Sequence, residues 1–266
     1  MRMSVTPVLA FYGCLRGVTE LSAFGEVQAA FERGDHDDVL LRTAAILAER
    51  PGDDASHEIR ARSLLALSRL DEAEHEVNDA VRLDPDEIRY RELLAEILAA
   101  RGAHRDAAAE FARLARNDPR SAAWTLAEAR ERLGAAQPEM GVEAARRAVR
   151  LNPTDAAAQL ALAQGLARVG DASGAIQAAT RATALLPGDP AAREALADAR
   201  WLGDDDAAAF AEFRALAGEL EGPGRRRVVR KALVLYRQRA RGFRALVARV
   251  PALFELAFRN AWIHVR

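Results

Sequence analysis

Apolar residues recur along most of the chain at helical steps, as in Leu160, Leu162, Ala163 and Leu166. That spacing gathers them on one face of a helix. No stretch shows the strict alternation or β-branched richness of a strand. The helical stretches are punctuated at a fixed interval. Pro51, Pro85, Pro119, Pro153 and Pro187 are each 34 residues apart, and Pro223 falls two residues beyond the next slot. Gly34, Gly102 and Gly170 each stand 17 residues before a proline. Ser68 holds the intermediate slot, while Gly134 and Gly203 fall two residues and one residue early. Proline cannot continue a helix, and glycine accepts the left-handed conformation that ends one. Asp171 and the pair Asp189-Pro190 are helix starts, a capping carboxylate with proline allowed in the first turn. Each 34-residue unit therefore predicts helix, tight turn, helix, turn. "AVRLDP" (80–85) and "AVRLNP" (148–153) are equivalent helix ends two units apart.

Small residues also hold fixed slots: Ala61 and Ala73, Ala95 and Ala107, Ala163 and Ala175, Ala197 and Ala209. Small side chains let paired helices approach closely. Leu64, Leu98 and Leu166 on first helices, and Val77, Phe111 and Phe213 on second helices, fill the space between. Period and slots together resemble the tetratricopeptide repeat over residues 20–224, as units 20–53, 54–87, 88–121, 122–155, 156–189 and 190–224. The fifth unit, with Leu162, Ala163, Leu166, Gly170, Ala175, Ala182 and Pro187, matches the family pattern most fully. The first departs from it, with Val27 and Val39 at alanine slots. The family's early Trp is missing from most units, Trp124 alone standing near that slot. The fourth unit reads as starting its first helix early and lengthening its inner turn to "GAAQPEMG".

The resemblance implies an all-α solenoid, a right-handed superhelix of helix–turn–helix pairs, with first helices lining a concave face where peptides or helices dock. One unit cannot bury its apolar face alone; stacking makes a continuous core. By analogy with the family, the groove slots hold Glu58, Arg62, Arg89, Glu92, Glu96, Trp124, Glu128, Glu131, Leu160, Gln164, Arg168, Glu194 and Asp198. Acids outnumber bases there, which fits either a self-paired solvated face or a groove for a basic segment. Trp124 reads equally as an exposed anchor and as a core residue. The family's subclass that grips chaperone C-termini uses Lys and Asn at these slots, and this chain has neither there. The function implied is a non-catalytic scaffold for a protein or peptide partner.

Charge adds a feature that the repeat does not explain. Residues 225–266 carry twelve bases and one acid, Glu255, for a net +11, against −12 for residues 1–224. Val229, Leu233, Tyr236, Ala240, Phe243, Val247 and Val250 form an amphipathic stripe. It predicts a basic helical extension over 225–266, of which 225–250 docks on the last repeats through that stripe with its arginines outward. Pro251 breaks the run before "ALFELAFRNAWIHV". Besides capping the stack, the tail could pack on a partner. It could also lie on anionic lipid through Arg226, Arg227, Arg230, Lys231, Phe254, Phe258 and Trp262, which would make the chain a peripheral membrane adaptor. Nucleic acid ranks last, because the acidic body opposes it.

Lys231 is the only lysine among 38 basic residues, a bias that points to a GC-rich genome. No run reaches the ~18 apolar residues of a spanning helix. Pro7, Gly13 and the lack of a small-residue cleavage site make 1–19 a poor signal peptide and favour a covering helix. A cytoplasmic location follows, with membrane association through the tail as the alternative. Cys14 is the sole cysteine, so neither an internal disulfide nor a thiolate metal cage can form. The five histidines show no metal-ligand spacing. "GDHDD" (34–38) gathers acids where a turn needs a helix cap, and "GPGRRR" (222–227) lacks phosphate-loop spacing. No cofactor and no enzymatic activity are expected.

Overall fold

The computed structural model describes residues 24–247, with side chains as far as Arg237. The expected covering helix over 1–19 and the segment beyond Val247 lie outside the described residues. All regular structure among the described residues is helical. Helix α1 covers 24–32. It is followed by α2 (His36–Glu49), α3 (Asp54–Ala66), α4 (Leu70–Leu83), α5 (Ile88–Ala100), α6 (His104–Asn117) and α7 (Ala122–Gly134). Then come α8 (Pro138–Leu151), α9 (Ala156–Arg168), α10 (Ala172–Leu185), α11 (Pro190–Leu202), α12 (Asp206–Glu219) and α13 (Gly222–Val247). The chain divides into two compact units, Met1–Gln137 and Pro138–Arg266.

The repeat is more regular than the glycines suggest. From α3 to α12, 13-residue first helices alternate with 14-residue second helices, and three-residue turns join each pair. The left-handed residue of those turns falls at Gly34 (φ 76°), Ser68 (59°), Gly102 (79°), Ala136 (56°), Gly170 (85°) and Asp204 (62°). Gly134 and Gly203 are therefore not the turn residues: Gly134 ends α7, and Gly203 sits at φ −89°. The fourth unit also departs from the reading of a longer turn. Its first helix starts in register at Ala122, its turn is 135–137, and Pro138 opens α8, where the missing N–H costs nothing. Gly134 answers a different need. A Cβ there would lie 2.8 Å from the His104 ring, which must come close to bond Glu131 at 2.8 Å.

Caps recur with the same period. Asp53, Ser121, Asp155 and Asp189 each accept a backbone N–H from the first turn of a first helix, and Glu87 does so from Arg89. Asp35 of "GDHDD" caps α2 through the Asp38 N–H, so the capping reading of that stretch holds. Each such cap is worth ~1 kcal/mol.

In the first unit, Ala61, Ala73, Leu64 and Val77 pack with Leu93, Ile97 and Ala107. Val27 and Val39 are wholly buried together, so the larger residues at those slots fill core space. In the second unit, Ala163 and Ala175 share a cluster with Leu166 and Ala179. Ala197, Ala209, Phe213 and Leu216 form the next, closed by Val228 and Leu235 of α13.

Helix α13 has 26 residues, twice a first helix. It docks on α12, but not along the stripe expected from sequence. Val228 and Leu235 are fully buried, while Leu233 is 45% exposed. Of the predicted stripe, Tyr236 packs beside Phe210, with ring centroids 6.5 Å apart. The seam is turned by one residue, about 100° around the helix. The reason is electrostatic as well as apolar: this rotation brings Arg227 and Lys231 onto acids of α11, where the expected one would have faced them outward.

Candidate partner-binding groove

The groove slots on α3, α5 and α7 of the first unit make several local polar contacts. Glu58 is nearly buried and pairs with Arg62 at 2.9 Å. Arg89 turns back to Glu87 at 3.1 Å and lies over the Tyr90 ring. Trp124 is half-buried against the Ala95–Phe111–Leu114 cluster, and its indole N–H donates to Glu92 at 3.0 Å. It is thus a wall residue with a polar edge, part core and part surface. Loss of surrounding water, then the neighbouring Glu92 carboxylate, pushes the Glu96 carboxyl up against the pull of Arg62. Glu128 is buried next to Arg132, and Glu131 accepts from His104. These last two are held by side chains of the chain itself.

In the second unit, α9, α11 and α13 enclose a cavity of about 760 Å³. Gln164 and Arg168 come from α9, Glu194, Asp198, Trp201 and Leu202 from α11, and Arg227 and Lys231 from α13. Ala163, Ala167, Ala191 and Ala195 supply the apolar floor. Leu160 instead packs into the cluster around Ala163. Four of the expected groove residues therefore line one space, and two expected tail-contact residues line it with them. Sequence reasoning missed Trp201 and Leu202. It also missed that Arg227 and Lys231, four apart, match Glu194 and Asp198, also four apart, a spacing that was readable.

Those four charges form one network. Arg227 donates to both Glu194 oxygens at 2.8 and 2.6 Å. Lys231 Nζ donates to Glu194 at 2.8 Å and to Asp198 at 2.5 Å. Lys231 also sits 5.7 Å from the Phe213 ring centre. Burial alone would push the Glu194 carboxyl up, but the bonds from Arg227 and Lys231 outweigh it and hold it below its usual range. At Asp198 burial wins over Lys231, and the carboxyl is raised. The tail bases nominated for lipid contact are thus divided: Arg227 and Lys231 are engaged internally, while Arg226 and Arg230 are exposed. Phe254, Phe258 and Trp262 lie outside the described residues.

Among the described residues no three His, Cys, Asp or Glu side chains gather so as to hold a metal ion. No described helix is long and apolar enough to cross a membrane. His57 is buried between Glu76, at 2.7 Å, and the Pro51 carbonyl, at 3.2 Å, a structural bridge between helices.

Solved structures share this architecture. A tetratricopeptide repeat protein from Parabacteroides merdae ATCC 43184 matches with TM-score 0.66 at 15% identity, over 76% of this chain and 80% of that one. MamA from Desulfovibrio magneticus RS-1 matches with TM-score 0.59 at 18% identity, over 63% and 94%. YrrB, described as a TPR protein with an unusual peptide-binding site, matches with TM-score 0.54 at 17% identity, over 66% and 91%. At these identities the likeness concerns the fold. No curated protein sequence matches the chain. The tetratricopeptide-repeat family profile matches residues 24–88, 59–122 and 126–190, more than half of the sequence. Profile, helix period and solved relatives agree: the chain belongs to the tetratricopeptide-repeat family.

Proposed function

We propose that this protein is a non-catalytic scaffold that binds a protein or peptide segment in the groove lined by its first helices and thereby assembles or tethers a complex. The observation that carries the reading is the open cavity between α9, α11 and α13, where apolar floor and charged rim stand together. Such a mixture suits a segment whose side chains alternate in character. YrrB, of the same fold, has a peptide-binding site by its description. In the first unit, Glu92, Glu96 and Trp124 offer a separate candidate surface. Aromatic residues with a polar edge concentrate binding energy.

The test is affinity capture of the full chain from its native cells, compared with a Glu92→Lys/Glu96→Lys variant and with the Ala167→Leu variant described below. A stoichiometric partner lost by either groove variant, with melting unchanged, supports the scaffold reading. Absence of any stoichiometric partner, or a partner retained equally by both variants, overturns it.

A further inference from the structure

The second-unit cavity has a chemical preference opposite to the one that its α11 acids suggest. Glu194 and Asp198 taken alone would invite a basic ligand. Both are already taken by cations of the same chain. Glu194 is only 6% exposed and carries three charge-assisted bonds, and Asp198 accepts from Lys231. The donors on Lys231 are committed to these two acids. Arg227 differs: it uses Nε–H and one Nη2–H on Glu194, its side chain remains 60% exposed, and guanidinium has five N–H donors. The charged groups lining the cavity are three bases against two acids. The rim is therefore net positive.

The floor shows what accompanies the charge. Alanines floor the cavity at slots where some repeats carry bulk and others alanine, Ala99 at the Ala167 slot and Ala127 and Ala161 at the Ala195 slot. At the slot of Ala167, 34 and 102 residues upstream are Leu133 and Leu65. At the slot of Ala195, 102 and 136 residues upstream are Leu93 and Ile59. Trp201 and Leu202 form the apolar wall beside that floor. An alanine floor that has room for a Leu-sized side chain, next to a positive rim, suits an apolar side chain with a carboxylate close by.

We infer that this cavity takes a partner segment carrying a bulky aliphatic residue flanked by Asp or Glu, the aliphatic group resting on Ala167 and Ala195 and the side-chain carboxylate meeting Arg227. The inference rests on the scaffold reading and adds the partner's chemistry to it. Engagement of Arg227 by such a carboxylate leaves the Lys231 pairs intact, so α13 stays docked in the complex.

Three fluorescently labelled peptides with acetylated N-termini and amidated C-termini test it: Gly-Ser-Asp-Leu-Leu-Asp-Ser-Gly, the same with Lys for both Asp, and the same with Ser for both Asp. Blocked termini confine recognition to side chains. Anisotropy titration against the full chain is expected to rank Asp over Ser over Lys, with at least ~10-fold between the first and last, about 1.4 kcal/mol. Ala167→Leu fills the cavity with a side chain that sister repeats accommodate, and should weaken the Asp peptide ~10-fold with melting unchanged. Arg227→Gln should remove the Asp preference and leave the Ser peptide unaffected, since Lys231 still holds Glu194. A preference for the Lys peptide overturns the inference, as does binding of the Asp peptide that neither variant reduces. Failure of all three peptides to bind overturns it too. Those results leave the scaffold reading standing if native capture succeeds, so the two fail separately.

Discussion

Leu235 and Leu233 lie two residues apart on α13 and decide how that helix is seated. Leu235 is fully buried among Phe213, Leu216, Val228 and Ala209, whereas Leu233 is 45% exposed. Replacing Leu235 by alanine removes three carbons from a filled space. In closed cores such a change costs ~2–5 kcal/mol, the transfer loss plus the residual cavity. α13 follows α12 as the last described helix, and packs on it from one side. The wall can partly collapse, which places the cost at the lower end, about 2–3 kcal/mol. Leu233→Ala should cost at most about 0.5 kcal/mol, as at other exposed positions. Repeat arrays open piecewise, so global melting alone would blur the difference. Hydrogen exchange over residues 224–236 reads it directly: Leu235→Ala should raise exchange there roughly 30- to 150-fold, and Leu233→Ala about twofold at most. A larger effect from Leu233→Ala than from Leu235→Ala would refute the seam and restore the one expected from the apolar stripe.

Other outcomes follow from the same structure. Gly102 sits at φ 79° with open space beyond its Cα, so Gly102→Ala should cost ~1 kcal/mol from backbone strain alone, while Ala136→Gly, at φ 56°, should be neutral or stabilising in thermal melts. Ala163→Leu should overpack the α9–α10 contact at ~1–3 kcal/mol, whereas Ala157→Leu, in the first turn of α9, should melt near wild type; equal melts would remove the small-residue assignment. Glu194 has its folded pKa lowered, so its contribution is present above the ordinary carboxylate range and is lost as pH falls through the lowered value. Asp198 is raised and works the other way, its burial penalty being relieved as it protonates. Exchange protection of α13 should accordingly fall only at acid pH, and Glu194→Gln should abolish that acid-dependent loss.

The repeat was legible because it is written in residues with one structural use. Prolines between pairs, alanines at close approaches and capping carboxylates recur every 34 residues, and the helices follow them. The left-handed turn slot was only half legible. Glycine marks it three times, but Ser68, Ala136 and Asp204 adopt the same backbone, and Gly134, placed nearby for the His104 ring, misdirected the reading. Conformational strain of about 1 kcal/mol is small enough for packing to override. The seating of α13 was hidden because the helix carries two apolar faces one residue apart. Hydrophobic spacing alone could not choose between them, and the choice went to the face that also pairs Arg227 and Lys231 with Glu194 and Asp198. The groove slots were expected by analogy, and four of them line the second-unit cavity. The charge of that cavity was not foreseen, because the cations that pair with the α11 acids come from a segment outside the repeats.

Lys231 gives the chain an unusual chemical address. It is the only lysine, so amine-directed reagents and acylating enzymes have one side chain to find, apart from the amino terminus. That amine is bonded to Glu194 and Asp198 and is 26% exposed. Acylation needs the amine released from these two carboxylates. The rate at which Lys231 is acylated therefore counts how often α13 loosens from α11. Once acylated, the side chain loses its charge and leaves Asp198 without its base, while Arg227 still holds Glu194, so a single covalent event would cancel the net positive charge of the rim.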